Sequence, residues 1–198
     1  VCSSDLPKRM TGTMLVKVVV FLGYLLSWGV ADGQGGEVAR LSLANRAQFV
    51  PSGKEVDAIE GDWVIRNDRL VAVIAQPTPW RKANMTVGNV GGMIIDLTRR
   101  EVESDQLSCF YVTANRFNFH DPKRLTIMVD GQEADLGNAA TAKGKELAIK
   151  IVSAPNGDGV ICELTYRLLD SSDEIQIQTT FRNDGAKRSE EHTSELQS

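Results

Sequence analysis

The sequence predicts an all-β protein built as an antiparallel sandwich, and three observations predict it. Short apolar or alternating runs recur between turn signals from residue 38 to residue 181. No run in that span carries a convincing 3.6-residue apolar period, so helices are not expected there. Two neighbouring runs, 63–66 and 69–75, are apolar on both faces, which places them inside a layered structure rather than on the rim of one sheet.

The ends are set apart first. One back-translation of residues 188–192 (RSEEH) is AGATCGGAAGAGCAC. Extended by AC, its reverse complement GTGTGCTCTTCCGATCT reads Val-Cys-Ser-Ser-Asp-Leu, which is residues 1–6. Residues 1–6 and 188–198 therefore look like translated sequencing adapter and are left out of the fold argument. On this reading the natural chain continues past Lys187, and a C-terminal region of the same chain is missing. Residues 7–31 have the parts of a signal peptide: Lys8, Arg9 and Lys17, an apolar run over 18–30, and small residues at Gly29 and Ala31. The run is shorter than the roughly 20 apolar residues a bilayer span requires, so a cleaved, helical leader is expected over a membrane anchor. The protein is then secreted or periplasmic, with no membrane contact beyond that segment.

The remaining domain, 32–187, keeps the net charge of −4, because the excluded ends and leader carry four basic residues (Lys8, Arg9, Lys17, Arg188) and four acidic ones (Asp5, Glu190, Glu191, Glu195). It has no basic stripe, so no nucleic-acid partner is expected. Cys109 and Cys162 remain once Cys2 is set aside. An exported chain can oxidise such a pair to a disulfide or keep two buried thiols, and the sequence leaves both open.

In chain order, 38–49 alternates in part, with Ala39, Leu41 and Leu43 on one side, and suits a half-buried strand that Pro51 ends. Runs 63–66 and 69–75 flank Asn67-Asp68, which reads as a two-residue hairpin loop placing Ile65 opposite Leu70 and Trp63 opposite Ala72. Pro77 and Pro79 end the ladder. A polar loop follows, and Gly91-Gly92 offers a close approach or a positive φ before a short apolar strand over 93–97. If 117–120 is a strand, Phe117 and Phe119 share a face, with Asn118 and His120 on the other. Asp130-Gly131 joins 125–129 to 132–136 as a second hairpin, and 137–144 reads as a loop. Residues 147–151 alternate. Asn156-Gly-Asp-Gly159 then turns the chain into 160–169, and Asp170-Ser-Ser-Asp173 turns it into 174–181.

The chemistry is marked mostly by what is missing. There is no GxSxG elbow, no CxxC or Cys/His metal spacing and no GxxxxGK[ST] loop, and the glycines 88–92 precede a strand where a phosphate loop needs a helix. No metal, no cofactor and no catalytic residue is expected from this piece. The candidate ligand-binding residues are Trp80, Arg81, Asn84 and His120. Sugar sites stack an aromatic ring on the apolar face of a pyranose and fork hydrogen bonds to its hydroxyls, and Trp80, Arg81 and Asn84 supply those groups in one Pro-bounded loop. The rival reading makes Trp80 an anchor that fixes an irregular loop to the sandwich. His120 is the one histidine left once His192 is set aside, and its imidazole is fitted to base or ligand chemistry near neutral pH.

Two pieces carry a family resemblance. WVIRNDRLVAVIAQ…NVGGMIIDLT and CELTYRLLDSSDEIQIQTTFRND resemble the opening strands and a later acidic-turn hairpin of the galactose-mutarotase-like β-supersandwich. The resemblance implies an incomplete supersandwich-like fold and a carbohydrate partner. The family's catalytic His and Glu have no matching positions here. The first piece is also similar to the region preceding the catalytic domain of secreted bacterial PHP-type metallohydrolases, whose HxH signatures are absent. The expected function is an N-terminal, non-catalytic, glycan-binding β-domain of a larger exported carbohydrate-associated or hydrolytic protein. The alternative is the front part of an enzyme, a metal-dependent hydrolase or a mutarotase-like or lyase-like sugar enzyme, whose catalytic residues lie beyond it.

Overall fold

A computed structural model describes residues 35–183 apart from 103, 138 and 139, together with the backbone of a strand at Thr11–Val19. The adapter-like ends lie outside the described residues. Of the 7–31 leader, Thr11–Val19 (β1) is a strand rather than a helix, and the rest of that segment lies outside the described residues. The chain is all-β. After β1 come β2 (Gly36–Arg40), a single helical turn α1 (Arg46–Phe49), β3 (Trp63–Arg66), β4 (Leu70–Ile74) and β5 (Ile94–Arg99). A 3-10 turn at Pro122–Arg124 leads into β6 (Leu125–Val129), β7 (Gln132–Ala134), β8 (Thr141–Gly144), β9 (Glu146–Val152), β10 (Val160–Leu169) and β11 (Glu174–Asn183). They form two antiparallel sheets, one in the order β1-β11-β10-β9-β6-β7 and the other β5-β4-β3-β2-β8.

The two sheets enclose one core. On β10, Cys162, Leu164, Tyr166 and Leu168 alternate inward as their period-2 spacing requires, and Ile175 and Ile177 do the same on β11. Strands β3 and β4 are buried at every position, as an apolar run on both faces demands. Their far face is covered by irregular chain. Phe49 of α1 lies under the Arg66 guanidinium, 4.0 Å from carbon to ring centre, and 51–57 is stitched to 105 by a parallel bridge between Gly53 and Asp105. Tyr166 ties the layers together: its fully buried hydroxyl donates to the Gly92 carbonyl at 2.8 Å. That contact needs the two glycines. A Cβ at Gly91 would stand 2.5 Å from the Phe119 carbonyl oxygen, and Gly92 has φ of +74°.

The structure revises four local expectations. The β3–β4 turn is centred on Asp68-Arg69, so Ile65 pairs with Ala72 and Trp63 with Ile74. Asn67 decides this, because its Oδ1 accepts from the amides of Arg69 and Leu70, both at 2.8 Å, which makes it the first residue of the turn rather than a central one. Strand β2 ends at Arg40, not near Phe49: Asn45 folds back, accepting from Ser42 N at 2.8 Å and donating to the Arg40 carbonyl at 2.9 Å. Leu43 is left in solvent. Residues 111–120 form no strand, since adjacent left-handed residues Ala114 and Asn115 coil the chain. Phe119 is buried there all the same, and Phe117 packs on Phe181 at 5.5 Å. Within 137–144, Thr141–Gly144 is an edge strand on β2, with Lys143 paired to Glu37 at 2.9 Å. The Asp130-Gly131 hairpin forms as expected, with both residues at positive φ and Val129 opposite Gln132.

A candidate site: the Trp80 loop and the cleft beside it

A buried ion pair pins the loop over 77–91 to the start of β3. Asp62, just before β3, is fully buried, and its Oδ2 accepts from Arg81 Nη2 at 2.6 Å and from Ile59 N at 2.9 Å. Its Oδ1 accepts from Gln76 N at 2.8 Å and from Arg81 Nε at 3.3 Å. Arg81 Nη2 also donates to the Asp57 carbonyl at 2.9 Å, and Nη1 donates to the Lys82 carbonyl. A charge pair taken out of water holds only when its remaining lone pairs and protons are satisfied in this way. The tip is closed by Asn84, whose Oδ1 accepts from Thr86 N and Val87 N at 3.0 Å each. Tyr111 donates its hydroxyl to the Gly88 carbonyl.

Of the four residues singled out from sequence, three share this loop and do different things. Trp80 is 83% exposed and has φ of +62°, an unfavourable backbone for a residue with a large Cβ substituent. Arg81 is turned inward and Asn84 is spent on the turn. His120 is half-buried and follows Phe119, whose carbonyl lies against the base of the loop at Gly91. The two cysteines are free thiols, and burial pushes Cys109 up to about 11 and Cys162 up to about 12. Neither is an activated nucleophile at neutral pH.

Beside the root of the loop is a cleft of about 200 Å³ between the ends of β2 and β3 in one sheet and the β6–β7 edge of the other. Arg40, Trp63, Gln76 and Pro77 line one wall, and Pro122, Thr126, Glu133 and Asp135 stand on the other. The Arg40 guanidinium lies 5.9 Å from the centre of the Trp63 ring and donates to Gln76 Oε1 at 3.4 Å. The cleft therefore brings together an indole, a guanidinium, a carboxamide and two carboxylates with the apolar side chains of Leu125, Ile127 and Leu136. Trp80, Arg81, Asn84 and His120 do not line this cleft; Pro77, which leads into the Trp80 loop, and Pro122, which follows the His120 segment, do. Sequence reading passes over Arg40, Trp63, Gln76, Glu133 and Asp135 because they come from four separate segments.

A third group is acidic and sealed. Asp96 lies within β5, in the run read from sequence as apolar, and is fully buried, as is Asp105. Asp96 Oδ1 accepts from Asp57 N at 3.0 Å, and Asp105 Oδ1 accepts from Leu97 N at 2.8 Å. Burial, reinforced by the charges of Asp105, Asp57 and Asp62, pushes the Asp96 carboxyl up to about 7 against the opposing Asp57 amide. Burial also raises Asp105, and it raises Asp57 with help from the Glu55 charge. No substrate reaches this pair from solvent, so its tightly held proton is not that of an accessible general acid. Among the described residues no group of three or more His, Cys, Asp or Glu side chains is placed to hold a metal ion.

Set against family models, curated proteins and solved structures, the chain matches none of them.

Proposed function

We propose that this sandwich is a non-catalytic, glycan-binding domain of a larger exported protein, with the cleft between Trp63 and Glu133 as its binding site and Trp80 as an outer platform. The observation that carries the reading is the make-up of the cleft. Arg40 and Gln76 beside the Trp63 indole, together with Glu133 and Asp135, offer both donors and acceptors to a ring of hydroxyls. Its volume of about 200 Å³ suits a single sugar unit or a chain end rather than a bulky ligand. Trp80 adds support, since a strained, exposed tryptophan on a loop fixed by a buried ion pair is held outward against its own backbone preference. Export is carried over from the sequence reading of the basic and apolar 7–31 segment alone, and the pairing of Thr11–Val19 with β11 tells against a leader that is removed.

Affinity gel electrophoresis against a panel of polysaccharides, with Gln76→Ala, Glu133→Ala and Trp80→Ala, tests the reading. A retarded native chain whose retardation falls about tenfold in affinity on losing each group is the expected result, an aromatic or charge-assisted contact being worth roughly 1–1.5 kcal/mol. Equal mobility of all four proteins on every glycan removes it.

A further inference from the structure

We propose that the end of the sandwich carrying Leu43, Ile59, Trp80 and Met85 docks on an anionic lipid surface, these four side chains entering its interface. The proposal stands apart from the glycan reading, with which it shares only Trp80. It departs from the sequence expectation, which has no membrane contact beyond the 7–31 segment.

The exposed apolar residues are not scattered. Among the described residues six large ones reach solvent, and four of them belong to one end of the five-stranded sheet. The register sets Arg40 against Trp63 and Trp63 against Ile74. The chain leaving β2, the chain entering β3 and the chain leaving β4 therefore emerge together. Leu43 lies on the first, Ile59 on the second, and Trp80 and Met85 on the third. Asp62 fastens these loops to one another, its carbonyl accepting from Leu41 N at 2.8 Å and its carboxylate from Arg81 Nη2 at 2.6 Å. The other two, Val102 and Leu169, lie at the opposite end, where Arg100 N donates to the Arg69 carbonyl and Asn67 Nδ2 to that of Leu169.

Each tip has backbone donors already partnered. Asn84 Oδ1 takes the amides of Thr86 and Val87 around Met85, which is 93% exposed. Asn45 Oδ1 takes Ser42 N beside Leu43, which is 82% exposed, and Asp62 Oδ2 takes Ile59 N. Tips closed in this way leave water without stranding those donors. Tryptophan suits the depth at which headgroups meet acyl chains. Charge selects the occupant. The chain has a net charge of −4, yet 41–47 and 77–91 hold Arg46, Arg81 and Lys82 and no acidic residue. Arg81 is spent on Asp62, so the exposed Arg46 and Lys82 stand as basic shoulders, one to Leu43 and the other to Trp80 and Met85. An exposed acid, Glu60, follows Ile59, so the basic side of this end is that of the other two loops. Apolar points with basic shoulders match an anionic membrane, a soft phase that admits separate points as readily as one continuous patch.

The test uses the whole chain with vesicles of phosphatidylcholine alone and of equal parts phosphatidylcholine and phosphatidylglycerol, with brominated acyl chains in a parallel set. The apolar run over 18–30 can itself enter lipid, so the readouts are those that only the tips move. Trp80 emission, taken as native chain minus Trp80→Phe, is expected to shift to the blue and to be quenched by the brominated chains. Leu43→Ser and Met85→Ser, at exposed positions where folding is little affected, are each expected to lower vesicle affinity about tenfold, the worth of one apolar side chain taken from water. Lys82→Gln is expected to lower it about fivefold on the anionic vesicles only. Unquenched Trp80, or affinity unchanged in both tip variants, overturns the proposal. So does self-association that the same two substitutions abolish in a chain that ignores vesicles, because the tips then meet a second copy.

Discussion

Asn67 and Ser172 join the tips of two hairpins that lie 105 residues apart in sequence, Asn67 Nδ2 donating to the Ser172 carbonyl at 2.8 Å. The same nitrogen donates to the Leu169 carbonyl at 2.9 Å, while Oδ1 shapes the β3–β4 turn. One buried carboxamide thus sets the register of β3 on β4 and fastens that sheet to the β10–β11 turn of the other. It makes four hydrogen bonds through its side chain.

Replacing Asn67 by Ala therefore removes the partner of two carbonyls and two amides and leaves the buried Leu70 amide without one. We expect a loss of about 3 kcal/mol in urea unfolding, the upper range for a buried polar deletion. Asn67→Asp keeps the turn acceptor but loses both donors and points charge at two carbonyls, so it is expected to be no better than Ala. A loss under about 1 kcal/mol for either would show that the turn is held elsewhere.

The ion pair beneath the Trp80 loop makes a sharper comparison. Removing only one partner leaves the other charge buried, so Arg81→Met is expected to cost about 3–5 kcal/mol and Asp62→Asn alone a comparable amount. The double variant should cost far less than the two added together, because no uncompensated charge is left behind. Additive losses in a double-mutant cycle would mean that Asp62 and Arg81 act independently.

What the sequence discloses divides along the line between local and distant causes. The Asp130-Gly131 hairpin is legible because both residue types accept positive φ, and so are the turns before β10 and β11. Gly91-Gly92 announces a close approach without saying to what, since Phe119 and Tyr166 arrive from later in the chain. The β3–β4 register is shifted from expectation because Asn67 can open a turn or sit inside one, and only its distant carbonyl partners decide. Arg81 reads as a ligand-facing cation, while its acid, Asp62, lies 19 residues earlier. The cleft has no sequence signature, because its walls meet only when the sheets do.

Stability should fall as pH rises toward neutrality. Asp96 holds its proton up to about 7 in the folded chain, against 3.8 as the ordinary value. Below the ordinary value both states are protonated and the contribution is fully present. Between the two values the unfolded chain releases the proton and the folded chain does not, so folding weakens by at most about 1.4 kcal/mol per pH unit and then levels off above about 7. Urea midpoints of the native chain minus those of Asp96→Asn should trace that slope. A difference that is flat between about pH 4 and about pH 7 would show that Asp96 ionises normally.

Gly91→Ala and Gly92→Ala separate two kinds of strain. At Gly91 the added carbon meets a backbone carbonyl at 2.5 Å, which cannot rotate aside, so the Phe119 segment must move and take the cleft wall at Pro122 with it. At Gly92 the nearest contact is the Phe119 Cβ at 3.1 Å, and the main cost is a positive φ, roughly 1–2 kcal/mol. We expect Gly91→Ala to be the more damaging of the two by thermal unfolding, and equal losses would indicate that backbone preference dominates at both.

Trp80 is the residue whose substitution should move stability and binding in opposite directions. Its side chain is 83% exposed, so little burial is lost on removing it, while its φ of +62° favours glycine by roughly 1 kcal/mol. Trp80→Gly is therefore expected to hold or raise the urea midpoint, the relief of strain being offset in part by the greater entropy of the unfolded chain. A tryptophan kept for packing would instead lose stability on this change. If Trp80→Gly destabilises the fold by more than about 1 kcal/mol, the side chain is an anchor for the loop, as the rival sequence reading has it, and not a platform presented to a ligand.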